Sequence, residues 1–155
     1  MKKKNNDNII TGKRIFDCVK DGNTECCVHR FFQGLNTSFT FVRLDGKGIA
    51  SCDIIDDWGY INSVLVRGRY QRQGVCGEML NTIEKYLRRE FGITSFYLNC
   101  NNDWHVKCYE KYGYTISEDR EGIEDNVVKM FKEESHTKEI RAYRALFKNM
   151  ISLFH

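Results

Sequence analysis

The 155-residue chain has no apolar run of 18 residues, so no membrane-spanning helix is expected. No apolar signal-peptide core follows its N-terminus, which removes the usual route to an oxidising compartment. Seven cysteines (18, 26, 27, 52, 76, 100 and 108) form no C-x-x-C pair and are odd in number. They read as reduced thiols of a cytoplasmic protein. Cys100, His105 and Cys108 have a spacing faintly like a zinc knuckle, but a fourth ligand is missing and no metal is expected. The Gly-Lys-Ser/Thr tripeptide of nucleotide phosphate loops does not occur, and Gly74 and Gly77 lack the first glycine of the dinucleotide fingerprint. A net charge of +3 is far from that of a dedicated nucleic-acid binder, so no nucleic-acid partner is expected. Without repeats or low-complexity segments, the chain reads as one domain long enough for a real core.

What is present is a clear succession of short elements. Residues 1–8, with lysines at 2–4, read as a disordered basic tail, 9–134 as the domain and 135–155 as a C-terminal amphipathic helix. A first strand is expected around 14–19, followed by an Asp21-Gly22-Asn23 turn. Residues 25–35 fit one short helix, although Cys26-Cys27-Val28 and Phe31-Phe32 also suit a strand. The clearest hairpin joins 38–44 to 49–55 through Asp45-Gly46-Lys47-Gly48. Asp56-Asp57-Trp58-Gly59 then turns the chain into a strand over 60–66. Apolar residues at 76, 79, 80, 83, 87 and 91 recur with helical spacing, and Gly92 ends that helix. A strand over 94–99 completes a right-handed parallel crossover. Asn102 is placed to cap a helix over 103–112, ended by Gly113. Strands over 114–117 and 126–131 flank an acidic connection. Ser135 or Thr137 caps the last helix, whose apolar stripe must be covered by the domain or by a second copy at a dimer seam. The fold class is α/β (α+β), a mixed twisted sheet flanked by helices.

Between the apolar Val64-Leu65-Val66 and the first helix lies a loop with three arginines (67, 69 and 72) and no acid. A strand–loop–helix turn gathers backbone N–H groups and the positive helix end at one spot, which suits an anion. The helix end alone contributes only about 0.3–1 kcal/mol, so N–H bonds and arginines must supply most of the affinity. Gln71-Arg72-Gln73-Gly74-Val75-Cys76 resembles the Q/R-x-x-G-x-G/A pyrophosphate loop of the GNAT superfamily of N-acetyltransferases, with Cys76 where Gly or Ala is usual. Asn102-Asp103-Trp104-His105-Val106-Lys107-Cys108-Tyr109-Glu110-Lys111-Tyr112-Gly113-Tyr114 resembles the family segment N-x-x-A-x-x-L-Y-E-K-x-G-F. His105 and Cys108 depart from it. The resemblance covers about residues 58–114.

It implies a single GNAT-like domain in which the strand ending at Val66 splays from its parallel neighbour. The pantetheine arm of acetyl-CoA would bond backbone groups of Val64, Leu65 and Val66, and Asn102 would face it. Backbone N–H groups of Gln71, Arg72, Gln73, Gly74, Val75, Cys76 and Gly77 would hold the pyrophosphate, with Arg67, Arg69 or Arg72 on the remaining phosphate oxygens. An N–H near Leu65 or Val66 would stabilise the oxyanion. Tyr109 would touch the cofactor and protonate the leaving thiolate, against its other reading as a core aromatic. Many relatives carry a glutamate base where Tyr60 stands; Asp56, Asp57 or His105 could relay a proton, and no base is assigned. Relatives also place two helices between their first two strands, whereas 19–38 leaves room for one. The implied activity is acetyl transfer to a small-molecule or peptide amine. Five acids in 118–125, with Asp53, Asp56 and Asp57, favour a cationic acceptor such as a polyamine, a lysine side chain or an aminoglycoside. A non-catalytic coenzyme-A-binding module is the alternative, and a small RNA-associated protein a lesser one.

Overall fold

Tight turns drive the first half of the fold. The structure is a computed structural model that describes residues 12–33, 36–119, 124, 126–133, 146, 147 and 150. Five strands follow one another as antiparallel neighbours: β1 (Lys13–Asp21), β2 (Thr24–Gln33), β3 (Asn36–Arg43), β4 (Gly48–Ile55) and β5 (Trp58–Val66). Between β4 and β5, Asp56 and Asp57 both take positive φ, 50° and 67°, as the tightest hairpin turn requires and as aspartate tolerates. That turn is two residues long, so Trp58 and Gly59 already belong to the strand.

Strand β2 corrects the short helix expected over 25–35. Thr24, Cys26 and Val28 are buried while the residues between them are more exposed, a period of two rather than 3.6. Pairing with β1 on one side and β3 on the other satisfies the backbone of this stretch, which a helix of barely three turns could not outweigh. No helix stands among the described residues between the first strand and the hairpin, where room for one was expected.

Beyond β5, a 3₁₀ turn over Gly68–Tyr70 leads to α1 (Val75–Phe91), β6 (Ser95–Cys100), α2 (Asp103–Lys111), the two-residue β7 (Thr115–Ile116) and β8 (Val128–Glu133). The sheet order is β1-β2-β3-β4-β5-β6-β8-β7, with β5 and β6 parallel and the other pairs antiparallel. A single mixed α/β domain results. Helix α1 carries Met79, Leu80, Ile83 and Leu87 fully buried against Phe39, Phe41, Phe96 and Leu98. Each such side chain contributes on the order of 1.5–3 kcal/mol.

Paired charges pin α1 to the sheet. Glu84 is buried, and accepts hydrogen bonds from the Tyr114 hydroxyl and the Lys132 ammonium, both at 2.8 Å. Arg43, also buried, reaches Asp45 at 2.7 Å and Glu78 of α1 at 2.8 Å. Buried charges persist only when paired in this way. Helix α2 lies on the same face as α1, because a Cβ added to Gly77 would run into the Tyr112 ring at the end of α2. The opposite face bears no helix among the described residues, and Phe16, Val42, Ile49 and Leu65 are exposed. The expected basic tail lies outside the described residues. So does the C-terminal helix, except for residues 146, 147 and 150, which are helical and exposed.

Candidate functional site

A one-residue bulge opens the site. On β4 and β5, Ser51 pairs with Ser63 but Cys52 pairs with Ile61, so Asn62 is the extra residue on β5. A bulged strand bends and twists more strongly. Parallel pairing of β5 with β6 runs over Gly59, Tyr60 and Ile61 and stops at the bulge. From Ser63 to Val66 the strand has a neighbour on one edge only.

The backbone groups on the other edge follow from the ladder. Arg67 N–H donates to the Lys47 carbonyl at 3.0 Å. Antiparallel alternation then turns the Leu65 backbone towards β4, and the N–H and C=O groups of Val64 and Val66 towards the gap. The Gln71 side-chain amide donates to the Val66 carbonyl at 3.2 Å, in keeping with that direction.

A groove of about 560 Å³ fills the gap. Of the residues singled out from the sequence, it is lined by Val64, Val66, Gln71, Arg72, Gly74, Val75, Cys76 and Tyr109, which the fold brings together from β5, the loop, α1 and α2. Leu65, Gln73, Gly77 and Asn102 do not line it. The Leu65 side chain points away and is exposed. The Gln73 amide is turned to the Arg69 carbonyl at 3.1 Å. Gly77 leaves room for the Tyr112 ring. Asn102 caps α2 by accepting the His105 N–H at 2.8 Å, and its amide meets His105 Nδ1 at 2.9 Å.

Gly74 stands just before α1 with a left-handed φ of 82°, a conformation that costs other residues about 1–2 kcal/mol. No atom lies within 4 Å of where its Cβ would be. The first intrahelical bond runs from Glu78 N–H to the Gly74 carbonyl, which leaves Val75, Cys76 and Gly77 N–H groups without a helical acceptor. Of the three loop arginines, Arg72 lines the groove, with its guanidinium 5.4 Å from the Trp104 ring; Lys107 and Lys111 add charge from α2. Cationic side chains, helix N–H groups and an apolar inner end fit a long ligand with phosphates at one end, as coenzyme A is. His105 and Cys108 also line the groove, and Tyr70, Trp104, Lys107, Lys111 and Tyr112 complete the lining without having been assigned to it from the sequence. For the residues of α2 and Tyr112 the signal lay in the second motif, where 104, 107, 108, 111 and 112 share one helical face; Tyr70 had no such signal.

Tyr109 is half-buried at the inner end. Burial, and then the neighbouring Cys76 and Cys100 thiols, push its hydroxyl well above the ordinary tyrosine range, so it stays protonated at neutral pH. Burial likewise raises Cys76, to about 12, with Cys108 beside it. His105 also lines the groove, whereas Asp56 and Asp57 sit at the far end of β5. Tyr60 stacks on Tyr97, with ring centroids 4.7 Å apart.

Fold and site together define a class: a mixed-sheet domain whose parted parallel strands and helix N-terminus share one cationic groove. The model of the acetyltransferase (GNAT) family matches residues 15–114, and the chain belongs to that family. It is 30% identical over 60 residues to NAT3, the catalytic subunit of the N-terminal acetyltransferase B complex of Saccharomyces cerevisiae. That match spans 37% of this chain and 31% of the yeast protein, so the chain corresponds to about a third of this curated relative. Among solved structures, the PaiA N-acetyltransferase of Thermoplasma acidophilum in complex with coenzyme A superposes with a TM-score of 0.55 at 17% identity. This covers 63% of the present chain and 61% of the other. The ribosomal-protein-S18-alanine N-acetyltransferase of Escherichia coli gives 0.52 at 18% identity, covering 66% and 71%. Both likenesses are of fold. No helix among the described residues is long and apolar enough to cross a membrane.

Proposed function

We propose that the chain transfers an acetyl group from acetyl-CoA to a primary amine, which attacks directly in a ternary complex. The observation that carries this reading is the halt of β5–β6 pairing at Ile61, which leaves Val64 and Val66 backbone groups, the N-terminus of α1 and Tyr109 around one groove. When bound, acetyl-CoA supplies a thioester carbonyl open to attack. The N–H groups of Val75, Cys76 and Gly77, with Arg72, hold the pyrophosphate, and Gly74 supplies the turn that aims them. Val64 and Val66 take the place of a missing strand partner for the pantetheine amides. The Val66 N–H, aimed into the gap, stabilises the oxyanion as the amine nitrogen bonds to the acetyl carbon. Tyr109 gives its proton to the sulfur as the carbon–sulfur bond breaks. The amine must arrive neutral, and its own proton leaves to water.

Cys76 stands in this reading as a neutral thiol beside Tyr109, small enough to leave the arm its path. A cationic acceptor is favoured by Asp56 and Asp119, which line a second cavity on the other side of the sheet. Glu118 and Glu124 add charge to the same connection, whose residues 120–123 and 125 lie outside the described ones. That the yeast relative is named for acetylating protein N-termini supports an amine acceptor. A mass-resolved screen of polyamines, lysine peptides and free N-terminal peptides tests the proposal. Release of one coenzyme A thiol per acetylated amine is expected. Tight coenzyme A binding with no thiol release beyond background for any amine points to the non-catalytic module.

A further inference from the structure

The sheet face opposite α1, which bears no helix among the described residues, holds a second cavity, of about 530 Å³. Residues of β6 alternate: Phe96 and Leu98 are buried towards α1, and Tyr97 between them points the other way, into this cavity. Trp58 and Tyr60 share that side of β5, and their rings lie 6.0 Å and 4.7 Å from the Tyr97 ring. Asp56, Asp119 and Glu133 line the same space, and among the described residues that line it Lys129 is the one cation. Aromatic faces framed by carboxylates attract alkylammonium groups. One such group is already there, since Lys129 Nζ sits 5.0 Å from the Tyr97 ring centroid. Asp53, opposite Tyr60 in the ladder and bonded to Asn62 at 3.1 Å, extends the negative field towards the gap.

We propose that this aromatic and acidic box binds a second, non-reacting ammonium of the acceptor, which makes the substrate class aliphatic amines with at least two basic nitrogens. The inference rests on the acetyl-transfer reading and adds to it. A nitrogen attacks through its lone pair and cannot be protonated while it reacts. A site that holds an ammonium must therefore hold a different nitrogen. From Tyr60 to Val64 the strand advances four residues, roughly 13 Å at about 3.3 Å per residue and somewhat less across the bulge. An amine anchored at Tyr97 by one end reaches the gap with the other through a flexible aliphatic arm of that span. Lys129 is the internal competitor that the substrate ammonium displaces.

The test compares 1,8-diaminooctane with 8-amino-1-octanol, equal in length but with one cation, by acetylation kinetics and by calorimetric binding. Wild type should prefer the diamine by roughly tenfold in kcat/KM, the size of a desolvated cation–π contact. Tyr97→Leu should erase the preference, and Tyr97→Phe, which keeps the ring face, should retain it. Asp56→Asn should weaken it, and Lys129→Met should lower KM for the diamine. A lysine pentapeptide against its norleucine counterpart separates a peptide source from a free polyamine. Equal kcat/KM for both amines in wild type, or a preference unchanged in Tyr97→Leu, overturns the box. If the diamine binds through Tyr97 but is never acetylated, the box stands and the acetyl-transfer reading falls.

Discussion

Strand β5 changes character at Asn62. Before the bulge, Gly59 and Ile61 are buried and the strand is hydrogen-bonded on both edges. After it, Val64 and Val66 keep β4 as a neighbour but face a groove where β6 should be. The first half behaves as core: a Cβ on Gly59 would stand 2.7 Å from Phe96 and 2.9 Å from Leu87. In the second half the Val64 N–H and C=O and the Val66 N–H have no strand partner on that edge, and in a packed interior such a group would cost about 1–3 kcal/mol if left unpaired. A buried, doubly paired half and a half that borders the groove are thus divided along one strand by a single inserted residue.

Deleting Asn62 is the strongest way to break that contrast. It restores one-to-one pairing with β4 and lets the parallel ladder with β6 continue past Ile61. A folded variant is expected with coenzyme A binding reduced on the order of a hundredfold, about 2.7 kcal/mol. Retained affinity would show that the groove does not depend on the bulge.

Next in size is Tyr109→Phe, which removes one hydroxyl from the inner end of the open half. A general acid's loss should lower kcat roughly a hundredfold while coenzyme A affinity holds, since the ring stays. A kcat within about threefold of wild type would return Tyr109 to a packing role.

Gly74→Asp sharpens the contrast from the loop side. It places a carboxylate at the helix N-terminus and forces a non-glycine residue to φ 82°. Calorimetry should show coenzyme A affinity down by at least about tenfold, or 1.4 kcal/mol, in a protein that still folds. Unchanged affinity would move the pyrophosphate elsewhere.

The smallest effect is one of pH. Burial holds the Tyr109 hydroxyl well above its ordinary value of about 10, so its acidic form persists as pH rises and is lost only above the raised value. The rate profile should therefore show no fall between about pH 9 and 11 that Tyr109→Phe removes. Such a limb would mean that the hydroxyl titrates as an exposed phenol.

Much of this was legible in the sequence where a local signal repeats. The hairpin around Gly46, the helical spacing from 76 to 91 and the Asn102 cap all reappear. The loop from Gln71 to Cys76 reads as an anion cradle because glycine and the start of an amphipathic pattern adjoin. Less legible was 25–35, where Cys26-Cys27-Val28 and Phe31-Phe32 suit a strand but the stretch is also long enough for a short helix. Pairing partners on both edges decided it. Within the site, the role of Gly77 was hidden because it makes room for the Tyr112 ring, a contact between two helices, whereas the cap at Asn102 was legible and its amide is already engaged with His105.

The sequence by itself determined which stretches form strands and helices for most of the chain, and the residue types that line the groove. Local spacing and turn chemistry act over a few residues, so they can be read in order. Only the tertiary structure decided where β5 leaves β6, that Arg72 rather than Arg67 or Arg69 faces the groove, and that Trp58, Tyr60 and Tyr97 meet on the face opposite α1. Those outcomes depend on pairing between residues far apart in the chain, such as Gly59 with Phe96. A one-residue bulge leaves almost no mark on composition or periodicity, yet it sets the direction of every backbone group that follows.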